Sequence, residues 1–294
     1  MIDFRLKVFQ SVAYNLSFTK ASKELYISQP AISKHIQELE QEYKMPLFER
    51  MGNKIALTHA GTLLLTHTES ILKAYRQLDF EMNLLNEVYA GELRLGASTT
   101  IAQYVLPPVL ATFIRKFPNI KISLFNGNTR DIEQALTDHR IDLGMVEGNN
   151  RLSNLRYTPF LRDELVVVTH AESSLAQYDE ISLEQLLQLP LVIRESGSGS
   201  LDVFERELAK HHLKLSALNV LIQLGSTESI KLFLKNADCL GIISIQAVRD
   251  EIASGKLKVI DVVDFECERM FSFAQLQGKT GGLEEKFIHY NLKL

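Results

Sequence analysis

The chain has 294 residues, of which 46% are apolar and 23% are charged, and its formal net charge is −4. These values are typical of a globular protein with two or three domains, and the two cysteines exclude a disulfide-stapled scaffold. No apolar run reaches transmembrane length, and the first five residues lack the apolar core of a signal peptide. We therefore expect a cytoplasmic protein with no membrane partner.

Basic charge is slightly concentrated at the start of the chain. Residues 1–60 carry eight basic and six acidic side chains, whereas the remainder carries 24 and 30. A mildly basic head on an acidic body is compatible with a DNA-binding domain joined to another module.

Two short helices joined by a tight turn are predicted between residues 17 and 43. Ser17 and Ser28 can cap the two helices, and Pro30 is tolerated in the first turn of the second. Apolar residues at helical spacing predict a buried stripe on the second helix: Ile32, Ile36, Leu39 and Tyr43. The opposite face offers hydrogen-bonding groups and one cation, which suit a DNA major groove: Gln29, Ser33, Lys34 and Gln37.

A short β-ribbon is predicted next, from Pro46 to Thr58, with its turn at Gly52 and Asn53. A ribbon beside a helix-turn-helix forms a wing, whose tip can reach the phosphate backbone through three side chains: Arg50, Asn53 and Lys54. An ordinary helical hairpin is the alternative, since this geometry is common in small helical domains. The order of cap, turn, polar face and wing favours DNA binding.

A long helix without proline is predicted from about Ala60 to Tyr89. Residues along it recur with a period of 3.5, which is the spacing of a coiled-coil seam: Leu64, Thr68, Ile71, Tyr75, Leu78, Met82 and Leu85. A helix packed in its own domain is the alternative. We favour a coiled coil, because the helix joins two domains and its other positions are polar: Glu69, Ser70, Lys73, Arg76 and Gln77. Such a helix would pair two heads across a two-fold axis, as a palindromic DNA site requires.

Strand–helix alternation begins near residue 91 and predicts a parallel sheet with helices on both faces. The first strand is expected over Glu92–Gly96, its helix over Ile101–Phe117, and a later strand over Glu164–Thr169. The chain crosses between two lobes and returns. The predicted domains are a head (1–58), a linker helix (59–90) and a two-lobed domain (91–294), whose lobes are 91–161 with 266–294, and 162–265.

Three polar segments follow predicted strands and precede predicted helices: Ala97-Ser98-Thr99-Thr100, Asn126-Gly127-Asn128-Thr129 and Ser196-Gly197-Ser198-Gly199-Ser200. Ligands of open α/β sheets bind at the carboxyl ends of strands, where helix N-termini present unpaired N–H groups. Capping alone could explain any one segment, but three segments across two lobes favour a pocket for a small anion or carboxylate. The segments match neither a dinucleotide fingerprint nor a P-loop, so no cofactor is expected.

Residues 9–61 resemble the DNA-binding domain of LysR-type transcriptional regulators. The matching residues are Phe9, Val12, Ser17-Phe18-Thr19, Ala21, Leu25, Ser28-Gln29-Pro30-Ala31, Ser33, Ile36, Leu39-Glu40, Leu47-Phe48, Arg50, Leu57-Thr58 and Ala60-Gly61. The resemblance continues through the polar segments to cover the whole chain. Two departures are small, since Ser22 replaces a usual alanine and Tyr43-Lys44 a commoner Leu-Gly pair, and neither removes a DNA-facing group.

The resemblance implies an α/β protein with an all-α winged helix-turn-helix head and a two-lobed, periplasmic-binding-protein-like effector domain. It implies DNA contacts from Ser17, Thr19, Ser28, Gln29, Pro30, Ser33, Lys34, Arg50, Lys54 and Thr58. It implies effector contacts from Ser98, Thr99, Thr100, Gly127, Asn128, Thr129, Glu147, Arg194, Ser196, Gly197, Ser198, Gly199 and Thr227. The implied partners are double-stranded DNA with a pseudo-palindromic site, a small-molecule effector, further copies of the chain as a dimer of dimers, and RNA polymerase.

The effector segments look like those of regulators of sulfur assimilation and carbon fixation, which suggests a sulfur oxyanion as effector. Glu147 complicates this suggestion, because a carboxylate repels an anion unless it is protonated or paired, for instance with Arg194. A neutral or amine-bearing effector therefore stays open.

Three other functions are compatible with part of the sequence. A solute-binding protein shares the two-lobed fold, but the DNA-binding head and the missing signal peptide argue against it. An α/β enzyme would need a catalytic constellation, which the sequence does not offer. An architectural DNA binder without effector is a third alternative. Cys239 and Cys267 suit buried apolar positions better than a redox pair, and His211-His212 lack partners at metal-ligand spacing.

Overall fold

The computed structural model describes residues 3–51, 54–85, 89–148, 152–278 and 282–291. The chain divides into two compact units, Met1–Gly91 and Glu92–Leu294. Gly52 and Asn53, the predicted turn of the ribbon, lie outside the described residues.

The first unit is helical, with one two-stranded ribbon. Its elements are α1 (Phe4–Asn15), α2 (Phe18–Leu25), α3 (Gln29–Tyr43), β1 (Phe48–Met51), β2 (Lys54–Leu57) and α4 (His59–Leu85). Ser17 Oγ accepts the N–H of Lys20 at 3.2 Å, and Ser28 Oγ accepts that of Ala31 at 3.4 Å, so both predicted caps are formed. These caps fix where α2 and α3 begin, because they satisfy N–H groups that have no partner within the helix.

The core of the first unit lies between α1, α3 and the ribbon. Val12 of α1 is buried together with Ile32, Ile36 and Leu39 of α3, as the apolar stripe predicts. Tyr43 is the exception, because it is 46% exposed. The helix ends at this residue and the next, Lys44, is left-handed, so the chain turns before Tyr43 can join the core.

Helix α4 combines the two arrangements considered for it. Its first half packs against its own unit, where Leu64 joins the core and Thr68 is fully buried. Both positions were predicted to lie in the coiled-coil seam, but they are covered by the core of their own unit and are not available to a second helix. Of the seam positions farther along, Ile71, Leu78, Met82 and Leu85 are open to solvent, whereas Tyr75 is half-buried. The second half of the helix therefore exposes four apolar side chains at seam spacing.

Among the described residues, the second unit contains one nine-stranded sheet and a separate two-stranded sheet formed by Glu180–Ile181 and Asp261–Val262. Its strands are β3 (Gly91–Ser98), β4 (Ile120–Gly127), β5 (Leu143–Val146), β6 (Leu155–His170), β7 (Glu180–Ile181), β8 (Leu191–Arg194), β9 (Val220–Leu224), β10 (Leu240–Ser244), β11 (Leu257–Val259), β12 (Asp261–Val262) and β13 (Cys267–Leu276). Its helices are α5 (Leu106–Lys116), α6 (Thr129–Thr137), α7 (Leu183–Gln188), α8 (Gly199–Lys210), α9 (Thr227–Leu234), α10 (Arg249–Ala253) and α11 (Leu283–Asn291).

Two long strands join the lobes. The order in the sheet is β4-β3-β5-β13-β6-β10-β8-β9, and β6 and β13 pair antiparallel from Leu155↔Leu276 to Leu165↔Cys267. β13 also pairs with β5 of one lobe, while β6 continues to pair with β10 of the other. The sheet is therefore mixed: the predicted parallel pairing occurs within the lobes, between β3 and β5 and between β8 and its neighbours β9 and β10, whereas the crossing strands run antiparallel to their neighbours.

The strand expected over Glu164–Thr169 begins nine residues earlier, at Leu155. Its first half was missed because polar and half-buried residues interrupt it, so it lacks the apolar run of a buried strand. Among the described residues, no helix has both the length and the apolarity that crossing a membrane requires.

Candidate functional site

The exposed face of α3 presents the side chains predicted to contact DNA. Gln29 and Lys34 are exposed, and Ser33 is half-buried between them. Gln29 Nε2 donates to Ser33 Oγ at 3.4 Å, while Lys34 Nζ lies 3.9 Å from Glu38 Oε1. Both contacts are long and solvent-facing, so they cost little to exchange for contacts with bases or phosphates.

Some of the predicted DNA contacts already serve the fold. Thr58 Oγ1 donates to Pro46 O at 2.7 Å and accepts the N–H of Gly61 at 3.0 Å, which ties the ribbon to the start of α4. Ser17 and Ser28 are used as helix caps. Thr19 and Pro30 are exposed. Arg50 and Lys54 lie on β1 and β2 beside the undescribed turn, where the register pairs Arg50 with Ile55 and Met51 with Lys54.

In the second unit, two hydroxyl side chains contact Glu147, the residue that follows β5, and a third contacts the end of β4. Thr129 Oγ1 donates to Glu147 O at 2.9 Å, and Thr100 Oγ1 lies 3.4 Å from Glu147 Oε1. Thr99 Oγ1 donates to Gly127 O at 3.3 Å, which joins the first polar segment to the second. Two of the three predicted segments therefore meet around one buried carboxylate, which is 1% exposed.

The third segment, which opens α8 in the other lobe, reaches the same place. Arg130 N donates to Gly197 O at 3.3 Å across the lobes. A Cβ on Gly199 would lie 2.3 Å from Glu147 O, and Gly148, with a φ of +95°, packs against Gly199 Cα. Backbone meets backbone here, so a side chain at Gly199 would force the lobes apart.

Arg269, on the crossing strand β13, was not anticipated from the sequence. Its side chain is 0% exposed, and its Nη1 lies 2.6 Å from Glu147 Oε2 while its Nε donates to Asp163 Oδ2 at 2.6 Å. Nη1 also donates to Ser200 Oγ at 3.0 Å, and Asp163 Oδ1 accepts from Ser244. One guanidinium thus binds β5, β6 and the start of α8 together.

The pairing of Glu147 with Arg194 that the sequence suggested does not occur. Arg194 instead pairs with its neighbour Glu195, with 2.8 Å between Nε and Oε2, and its Nη1 lies 3.4 Å from Thr227 Oγ1. Ser196 is exposed, whereas the other residues of this segment are buried. Arg194 and Thr227 therefore form a second polar group in the second lobe.

A further contact joins the lobes next to the first polar segment. Residues Ile101–Val105 form a single π-helical turn ahead of α5, a feature that often marks functional sites. Tyr104 in this turn donates to Glu228 of α9, and Lys231 Nζ lies 5.2 Å from the Tyr104 ring centroid. Burial, and secondly the hydrogen bond to Glu228, raise the pKa of Tyr104 well above its usual value, so the hydroxyl stays a donor.

Two buried polar atoms of this cluster, Glu147 Oε2 and Arg269 Nη2, make no hydrogen bond to the described residues. The same is true of Ser98 Oγ, at the end of strand β3, which pairs with β5. Glu147 Oε2 contacts Arg269 by charge without the alignment of a hydrogen bond. Capping accounts for Asn128 and Ser198, whose side chains bond the first turns of α6 and α8. It does not account for Ser98 or Thr100, since Thr100 makes no capping hydrogen bond.

The structure gives little support to a redox role for the two cysteines or to a metal site. Burial raises the pKa of the Cys239 thiol to about 11 and that of Cys267 to about 12, which suppresses the reactive thiolate. Within the described ranges, no group of three His, Cys, Asp or Glu side chains could hold a metal ion.

Comparison with known proteins identifies the family. The family model for the bacterial regulatory helix-turn-helix of the lysR family matches residues 4–62, and that for the LysR substrate binding domain matches residues 86–289. The chain belongs to the LysR family. Like other LysR-type regulators, it is a DNA-binding transcriptional regulator with an effector-binding domain, as the sequence predicted.

Sequence similarity between this LysR-type regulator and its relatives extends over nearly its whole length. It is 34% identical to the transcriptional activator CmpR of Synechocystis, over 90% of this chain and 86% of the relative. It is 28% identical to CysL of Bacillus subtilis (91% and 89%), and 30% identical to the RuBisCO operon regulator of Acidithiobacillus ferrooxidans (94% and 88%). These relatives confirm the predicted branch of the family, and all are transcriptional regulators.

Solved structures agree with the fold. The regulatory domain of CcmR from Synechocystis, solved in complex with 2-PG, matches with a TM-score of 0.62 and 28% identity, over 69% of this chain and 96% of that one. Full-length CbnR complexed with its target DNA matches with a TM-score of 0.67 over 100% and 99%, at 19% identity, which shows a shared fold.

Proposed function

We propose that this LysR-type regulator acts in the cytoplasm, not as an enzyme, and senses a small anion between the two lobes of its effector domain. This proposal rests on the convergence of three polar segments on Glu147, and on Ser98 Oγ, which is buried and has no hydrogen-bond partner among the described residues. A buried hydroxyl without a partner costs free energy that a ligand can recover. Helix N-termini favour a negative charge at the same place.

The head is proposed to read DNA through the exposed face of α3. Gln29 and Ser33 would contact base edges, while Lys34, Arg50 and Lys54 would hold phosphates. The assignment of α3 to base reading follows from the position of Gln29, Ser33 and Lys34 in the first turns of the helix. In helix-turn-helix proteins, this part of the recognition helix contacts the bases. Thr58, Ser17 and Ser28 would act mainly by holding the helices and ribbon in place.

The open half of α4 supports a dimeric head, in line with the predicted linker helix at residues 59–90. Ile71, Leu78, Met82 and Leu85 are between 46% and 79% exposed, and they follow the seam spacing. A second copy of the same helix would cover this face and pair two heads, as a pseudo-palindromic site requires. Two such dimers would form the tetramer that the family resemblance implies, and RNA polymerase would be the further partner.

Anion binding would act on the DNA-binding heads by shifting an existing equilibrium between subunit arrangements. The branch of the family supports an anionic effector, because the CcmR regulatory domain was solved with 2-PG. Phosphate esters and sulfur oxyanions both fit a site made of N–H groups, hydroxyls and glycines.

The first test removes two hydroxyls that do not cap helices. We expect Ser98→Ala and Thr100→Ala each to weaken binding of 2-phosphoglycolate or sulfite by about 0.5–3 kcal/mol, the range for neutral to charged hydrogen bonds. If both hold one ligand, the double variant should lose less than the sum. Calorimetric titration of the full-length protein measures this, and operator affinity without ligand should hardly change.

The control is Ser182→Ala, which removes a side chain that caps α7 in a capping box. It should lower the melting temperature and leave anion affinity at the wild-type value. The same behaviour in the Ser98→Ala, Thr100→Ala double variant would mean that these hydroxyls serve only the fold and that the anion binds elsewhere.

A further inference from the structure

The charges around the proposed effector site do not cancel. Arg269 faces two carboxylates at once, with Glu147 and Asp163 each 2.6 Å away. All three side chains are at most 1% exposed, so water screens them little. Two carboxylates on one guanidinium leave one formal negative charge in the cluster.

Among the described residues, no basic side chain other than Arg269 forms an ion pair or hydrogen bond with Glu147 or Asp163. The side chain of Arg130, whose backbone N–H donates to Gly197 O, is exposed to solvent. The side chains that bond to its three members are the uncharged hydroxyls of Thr100, Ser200 and Ser244. In the second lobe, Arg194 is already matched by Glu195. A fully ionised anion that entered beside Glu147 would therefore meet an excess of negative charge at close range.

Glu147 nevertheless has capacity to accept a hydrogen bond. Among the residues that the structure describes, the one hydrogen-bond partner of its Oε1 is Thr100, at a long 3.4 Å, and its Oε2 has no aligned donor. An anion that carries a proton can donate that proton to Glu147, which replaces repulsion by a charge-assisted hydrogen bond. Its remaining oxygens can accept from Ser98 Oγ and from helix N–H groups.

We propose that Glu147 makes the site selective for oxyanions that carry a proton, such as a monoprotonated phosphate ester or bisulfite, and that it rejects fully ionised oxyanions such as sulfate. The inference rests on the proposed function, because it takes the anion to bind between the lobes. A buried hydrogen-bond acceptor such as Glu147 discriminates strongly between protonated and fully ionised oxyanions, because an anion without a proton leaves the acceptor unpaired.

The test uses the full-length wild-type protein with two probes. The phosphate of 2-phosphoglycolate loses its second proton near pH 6, whereas sulfate stays fully ionised. If only the monoprotonated form binds, 2-phosphoglycolate should bind roughly 25-fold more tightly at pH 5.5 than at pH 7.5, from the change in its protonated fraction. Sulfate should bind at least about tenfold more weakly than 2-phosphoglycolate at pH 5.5, with no comparable pH dependence.

A variant of Glu147 tests whether the pH dependence of binding comes from the proton that the ligand donates or from the titration of another group. In Glu147→Gln the amide can donate to an ionised oxygen, so the pH dependence for 2-phosphoglycolate should fall below about threefold and sulfate affinity should rise. The matched control is Glu207→Gln, which changes another largely buried carboxylate, on α8 beside Lys210. This control should keep the wild-type pH dependence.

The outcomes are distinguishable. Calorimetry that detects neither probe on the wild-type protein would overturn the anion site itself, and this inference with it. Clear binding of 2-phosphoglycolate with equal affinity at both pH values would leave the site in place and overturn the role of Glu147. An equal rise of sulfate affinity at pH 5.5 would show that a protein group titrates, which also refutes it. The wild-type pH series decides the question even if Glu147→Gln does not fold.

Discussion

Replacing Arg269 by methionine should strongly destabilise the effector domain. The change keeps a long, flexible apolar stem but removes the only positive charge in contact with Glu147 and Asp163 among the described residues. Asp163 would keep its hydrogen bond from Ser244, and Glu147 would keep only the long contact with Thr100. Two buried carboxylates would then lack a counter-charge.

Breaking a buried ion pair from one side costs about 3–5 kcal/mol, because it leaves a desolvated charge behind. The cost here should lie at the upper end, since one guanidinium serves two carboxylates and also binds Ser200. For a domain of about 200 residues, each kcal/mol lowers the melting temperature by roughly 2–4 °C, so a cost of about 5 kcal/mol predicts a fall of about 10–20 °C.

Differential scanning calorimetry is the suitable assay, because the chain has two units and no tryptophan to report on either one. The control is Arg162→Met on the same strand pair. Arg162 Nη2 lies 3.0 Å from Glu268 Oε1, but these side chains are 76% and 62% exposed. An exposed pair contributes about 0–1 kcal/mol, so the control should melt within about 4 °C of wild type.

The comparison isolates burial, since both variants remove an arginine that bridges β6 and β13. Adding Glu147→Gln and Asp163→Asn to Arg269→Met should restore part of the lost stability, because the unpaired charges disappear. If Arg269→Met melts no lower than Arg162→Met, the charge cluster does not hold the lobes together as argued.

Two further predictions concern the head. Gln29→Ala and Ser33→Ala should change sequence preference by roughly 1–3 kcal/mol per lost base contact, measured by selection of binding sites from random DNA; unchanged selection in the double variant would contradict the assigned orientation of α3. Ile71→Lys with Leu78→Lys should place like charges in the helix pair and dissociate the dimer, seen by sedimentation, with loss of tight palindrome binding. An intact oligomer with full operator affinity would refute the seam.

Local features of the head were predictable because each depends on residues close in sequence. The caps at Ser17 and Ser28 formed as expected, and so did the buried stripe through Ile32, Ile36 and Leu39. Tyr43 was misplaced because periodicity does not report where a helix ends. The seam of α4 was predicted from the spacing of its residues. Spacing does not show which seam positions are covered by the core of the same chain, and Thr68 is one of these buried positions.

In the effector domain, the polar segments were recognisable by composition, yet their partners were not. The first half of β6 was missed because its residues alternate without an apolar run. Arg269 carried no signal in its own sequence neighbourhood, and nothing local connects it with Asp163, which is 106 residues away, or with Ser200, which is 69 residues away. The suggested pairing of Glu147 with Arg194 failed for the same reason.

The sequence by itself determined the family, the order of head, helix and two-lobed domain, and the segments that line the proposed site, because caps, periodicity and motifs are short-range properties of the chain. The tertiary structure decided which charges meet. Only the antiparallel crossing of β6 and β13 brings Arg269 between Glu147 and Asp163, and only the close approach of Gly148 and Gly199 buries that group between the lobes. Burial then gives these contacts their strength, because a charge removed from water must find its partner within the protein.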